Sequence, residues 1–136
     1  MIFALESQIA ARLAARLPVG TLIKTTFDEV DLSDEAVAPV VVQLQLDRVG
    51  GSGGVSGSAA QVEVAWSVTV YVHTRRATSG ELSVAESLLP GAINALVRWP
   101  YAVNQYPVIT DGPPTVFDGQ ILRLGFSFVT VLFFSG

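Results

Sequence analysis

A chain of 136 residues is long enough for one domain with a core of its own. With 50% apolar residues, 15% charged ones and a mean hydropathy of +0.49, it carries more apolar surface than a small monomer hides. Eight Lys and Arg against twelve Asp and Glu, net −4, argue against a nucleic-acid clamp, and the lack of cysteine rules out a disulfide framework and a thiolate metal site. No apolar run approaches the ~18 residues of a spanning helix. The opening MIFALESQ has no basic leader and carries Glu6, so it does not read as a signal peptide. The apolar excess therefore points to burial against other subunits.

Taken in order, FALESQIAARLAARLP predicts an amphipathic helix. Leu5, Ile9, Leu13 and Leu17 recur every four residues and Pro18 stops it. Arg12 and Arg16 suit the negative end of such a helix. TLIKTTF, over 21–27, reads as a short β segment. DEVDLSDE then gathers Asp28, Glu29, Asp31, Asp34 and Glu35 without the alternation or central glycine of a calcium loop, and reads as a solvated acidic loop.

PVVVQLQLD is a strand with Val40, Val42, Leu44 and Leu46 on one face. QVEVAWSVTVYVHT is a second strand, with Val62, Val64, Trp66, Val68, Val70 and Val72 sharing a face. A slip of one residue would expose six large apolar groups, so its register is firmly set. Between these strands lies a run with five glycines from Gly50 to Gly57. A domain boundary there would leave two half-sheets, so the segment reads as the loop of a long antiparallel hairpin, flexible over 49–60.

SGELSVAESLLPGAINALVRW predicts the second helix, capped by Ser79 or Ser83, with an apolar stripe of Leu82, Ala85, Leu89, Ala92 and Leu96. Pro90 is expected to kink or break it. A turn-rich stretch follows, with a short strand near Val108 and a loop at DGPP. ILRLGFSFVTVLFFSG closes the chain as a strand. Leu122, Leu124, Phe126, Phe128, Leu132 and Phe134 line one face; the other turns apolar at Val129, Val131 and Phe133. A strand apolar on both sides is covered on both sides, and two helices in one layer cover only one. The expected fold is α+β: a mainly antiparallel sheet with a long hairpin, packed by an N-terminal and a central helix, in one domain over 1–136.

Catalytic chemistry finds no foothold. His73, the single histidine, sits among Thr74, Arg75 and Arg76 and reads as a surface or interface residue. GGSGGVSG lacks the Lys-Ser/Thr of a phosphate loop and is followed by a strand. Trp66 and Trp99 read as core. No enzyme, metal or cofactor is expected.

The order of elements resembles that of tail terminator (tail completion) proteins of long-tailed bacteriophages, Mu-like prophages included. The resemblance rests on ALESQIAARLAARLP, the acidic loop, PVVVQLQL, VEVAWSVTVYV, AESLLPGAINALVRWPY and LRLGFSFVTVLF, and spans nearly the whole chain. It implies a virion protein made in the bacterial cytoplasm and placed at the head-proximal end of the tail. There a homo-oligomeric ring, usually of six, caps the tail tube protein, ends its polymerisation and meets the head–tail connector. DNA would pass through the channel without specific binding, past acids such as Asp28, Glu29, Asp31, Asp34 and Glu35. Tyr71, Val129, Val131 and Phe133 are the expected subunit contacts. Gly50, Gly51, Gly53, Gly54, Val55 and Gly57 form the expected docking loop. Another neck component, a tube subunit or a peptide-binding domain outside phages are the alternatives.

Overall fold

The computed structural model describes residues 2–30, 38–56 and 59–135. Their order is α1 (Ile2–Arg16), β1 (Ile23–Lys24), β2 (Val40–Ser56), β3 (Ala59–His73), α2 (Ser79–Leu96), β4 (Val108–Thr110), β5 (Val116–Phe117) and β6 (Ile121–Ser135). The strands form one sheet in the order β1-β2-β3-β6-β4, with β5 also on β6; only the β1–β2 pair is parallel. The expected α+β class holds.

Both helices lie on one face. The α1 stripe Leu5, Ile9, Leu13 and Leu17 is buried against Val42 and Leu44 of β2, the even-numbered valines of β3, and Phe126 and Phe128 of β6. From α2 come Ala85, Leu88, Ala92, Ala95 and Leu96; Leu88 is the deeper leucine and Leu89, expected there, is half-buried. Trp66 stacks on Phe128 with ring centroids 6.4 Å apart. Its indole N–H donates to Thr130 Oγ1 at 2.9 Å, so the one hydroxyl on the apolar face of β6 is buried and satisfied. Arg12 does not serve its own helix: its Nε donates to the Ala95 carbonyl at 2.8 Å, in the last turn of α2.

Four local expectations change. Thr78, not Ser79 or Ser83, caps α2, through a reciprocal box in which Thr78 Oγ1 accepts from Glu81 N and Glu81 Oε1 accepts from Thr78 N. The helix runs on through Pro90; Pro90 and Glu86, whose carbonyl loses its donor, both face solvent, where water serves instead. The 21–27 segment pairs only at Ile23 and Lys24. Most consequential, the strands invade the segment expected to be a loop over 49–60. Gly50 pairs with Glu63, Gly51 with Val62, Val55 with Ala60 and Ser56 with Ala59, with one register shift between Leu46 and Arg48 and another between Gly51 and Val55. Backbone pairing needs no side chain, so glycine does not prevent it. Gly57 lies outside the described residues.

Candidate functional site

The functional question concerns the sheet's second face, away from both helices. Near its β1 end that face is occupied. Gln43 Nε2 donates to the carbonyls of Thr25 and Asp28, tying the 25–28 turn over β2, and Tyr71 Oη donates to Gln43 Oε1. Asp28 closes the same turn, accepting from Thr25 N at 2.7 Å and from Thr25 Oγ1 at 3.1 Å. Those bonds, with a smaller contribution from Lys24, hold its carboxyl below the usual carboxylate range. The Arg123 guanidinium stands 5.9 Å from the centre of the Tyr71 ring. Pro113 leans over Gly125, where an added Cβ would lie 3.0 Å from Pro113 Cγ and 2.9 Å from the Val68 carbonyl.

Six residue pairs along β3 and β6 the cover has gone. Val108 of β4 stands beside Val129, which stands beside Ala65; Val131 is opposite Glu63 and Phe133 opposite Gln61. Val108 is 62% exposed and Phe133 54%, while Ala65, Val129 and Val131 are half-buried. The structure thus brings three of the four expected contact residues into one apolar row. Tyr71 stands apart, about 20 Å along the sheet by strand rise, with its hydroxyl engaged internally. Of the expected channel acids, Asp28 is committed to its turn, Glu29 is exposed, and Asp31, Asp34 and Glu35 lie outside the described residues. Of the docking residues, Gly50, Gly51 and Val55 pair with β3, and Gly53 and Gly54 lie between them within β2.

Sheet edges have unpaired N–H and C=O groups, and close to the body each one is guarded. Beside β2, after the short β1, Thr26 Oγ1 accepts from Leu46 N at 2.9 Å and donates to the buried Glu6 carboxylate. Beside β6, β4 covers 127–129 and β5 covers 122–123. The two are halves of one strand broken at DGPP, where Gly112 passes so close that a Cβ would fall 2.4 Å from Phe126 Cα. Beyond β4, Tyr101 Oη accepts from Val131 N at 2.7 Å and lies 3.3 Å from Val131 O. Burial raises the Tyr101 phenol pKa, the Val131 hydrogen bond opposing in part. Asp118 turns β5 into β6: its Oδ1 accepts from Ile121 N and Gln120 N, and these bonds, with Arg123 at 3.9 Å, lower its pKa.

A groove of about 430 Å³ between the α1–β1 turn and the start of α2 is walled chiefly by Pro18, Val19, Leu22, Val40, Val84 and Leu88. His73, expected at the surface or an interface, is 9% exposed in the single chain, and its Nδ1 has no hydrogen-bond partner among the described residues. Among the described residues no three His, Asp or Glu side chains cluster as metal ligands, and no helix is long and apolar enough to cross a membrane. The chain matches no family model and no curated protein.

The edge guards escaped the sequence reading. Tyr101 and Val131 are thirty residues apart, and nothing local marks them as partners. The β5–β6 turn did leave a signal, the Asp-Gly of FDGQ.

Proposed function

We propose that the protein is a structural subunit of a bacteriophage tail, a tail terminator whose copies join in a ring that caps the tail tube, ends its growth and meets the head–tail connector. One observation carries the self-association: the row Val108, Val129, Val131 and Phe133 on a sheet face that neither helix covers. Fully covering an exposed side chain of this size is worth roughly 1.5–3 kcal/mol. Val108 and Phe133 offer much of that and the half-buried Val129 and Val131 a part of it, which together favour association. The order of the elements, retained in the fold, supports the phage assignment. The acidic balance suits a channel that DNA slides through without adhering.

The test is the mass of the purified chain by light scattering over a range of concentrations, followed by addition to growing tail tubes. A closed particle near six times 14.4 kDa that stops tube elongation is the expected result. Open-ended filaments would assign a tube subunit instead. A chain that stays at 14.4 kDa at every concentration and leaves tube growth unchanged would overturn the reading.

A further inference from the structure

The guards on the sheet edges stop partway. On β6 the last guarded residue is Val131, under the Tyr101 hydroxyl. Backbone direction alternates along a strand, so Phe133 and Ser135 point their N–H and C=O outward as Val131 does, and no described strand pairs with them there. On β2 the last guarded residue is Leu46. Beyond the bulge, which shifts the alternation by one, Val49 and Gly51 point outward, also without a partner strand. Among the described residues, the tip of the sheet is therefore a three-stranded ribbon, β2-β3-β6, with no strand paired along either side.

Apart from the bulge at Leu46/Arg48, charges and proline, which natural edges use against pairing, are missing there. Residues 49–60 and 129–135 contain no Asp, Glu, Lys, Arg or Pro. The two sides are also unlike. The β2 side reads VGGSGG, nearly bare of side chains, and the β6 side reads VLFF. A bare strand beside a bulky one leaves room for aromatic groups to cover the glycine backbone. Neither side has a charge to desolvate. Both β2 and β6 run toward the tip, since each is antiparallel to β3.

From this, and resting on the ring reading above, we infer that the partner of each open edge is a second copy of this chain. The β2 edge at Gly51 pairs in parallel with the β6 edge at Phe133 of the next copy. Such a joint is heterologous: each copy offers one edge of each kind, so copies in the same orientation continue until the ring closes. It adds directional backbone bonds to the apolar row and sets which side meets which.

Two substitutions test it. Phe133→Pro and Gly51→Pro each delete one outward N–H and leave the bonds to β3 in place. Phe133→Ala trims the side chain and keeps the N–H. Light scattering and circular dichroism are read on each. Expected are a wild-type and a Phe133→Ala chain that assemble, and two proline variants that stay at 14.4 kDa with a native spectrum. Mixed in equal amounts, the proline variants should stop at a dimer, because one keeps its β2 edge and the other its β6 edge. That dimer also demonstrates that both are folded. Proline variants that assemble like wild type would overturn the edge pairing and leave the ring reading standing. A mixture that stays monomeric with both spectra native would also overturn the pairing. A wild-type chain that assembles neither alone nor on growing tubes would overturn the ring reading, and the pairing with it.

Discussion

The two faces of this sheet are made from alternate residues of the same strands, yet they are finished differently. On the helix side, Trp66 and Phe128 are stacked, fully buried and hydrogen-bonded through Thr130. On the other side, one pair away in register, Val129 and Ala65 share a row with Val108 and Phe133, and both of the latter remain more than half exposed. The helix side is what folds the chain. The other side is closed by polar ties where turns cross it, through Gln43 and Asp28, and where none does, β6 is left apolar beside Glu63 and Gln61 of β3. A face that needed only to meet water would carry polar residues throughout, as the Ser67–Ser127 pair does midway along it.

That comparison can be broken most severely on the helix side. Trp66→Ala should cost about 3–5 kcal/mol in urea unfolding, because it removes the stacked ring and strands the Thr130 hydroxyl. A loss under about 1 kcal/mol would mean that stability lies elsewhere. On the open side, Val131→Asp should leave unfolding within about 1 kcal/mol of wild type while abolishing assembly in light scattering. If assembly survives, the apolar row is not the interface.

Tyr101→Phe sharpens the division between guarded and open edge. It should cost about 1 kcal/mol, more if the Val131 N–H is left dry, and loosen amide protection at Val131 in hydrogen exchange. Burial raises the Tyr101 pKa, so its contribution is complete below about pH 10 and is lost as pH rises through the still higher folded value. The alkaline limb of a stability profile should flatten in the phenylalanine variant. The smallest effect belongs to Asp118→Asn at the β5–β6 turn. The Asp118 pKa is lowered, so its contribution is present above pH 3.8 and disappears as pH falls through the folded value. The variant should be slightly less stable than wild type near neutrality and show a shallower acid limb, the two curves converging below that point.

What the sequence made legible was the period-two and period-four patterning. The valines of β3 gave its register, and Leu5, Ile9, Leu13 and Leu17 gave α1, because each buried position repeats with the backbone. The change of face in β6 also pointed to Val129, Val131 and Phe133. The extent of the hairpin was illegible for the opposite reason. Glycine weakens a strand by entropy, but the neighbours decide whether it pairs, and Gly50 finds Glu63 thirteen residues on. Thr78, Tyr101 and the Thr26–Glu6 pair were hidden because their roles depend on groups brought near only by the fold. Tyr71 misled because its place on the polar face of β3 says nothing of Gln43, twenty-eight residues earlier.

Gly112 gives the guarded edge an unusual genetic fragility. Any side chain there would collide with the backbone of β6 rather than with a neighbour able to swing aside. The 108–117 segment would have to lift away, and the open edge of β6 would then run from 122 to the tip of the strand. A long uncovered edge of that kind is a template for indiscriminate strand pairing, and such pairing ends in aggregates. A single codon in this turn-rich stretch thus decides how much of β6 is left bare for any strand it meets.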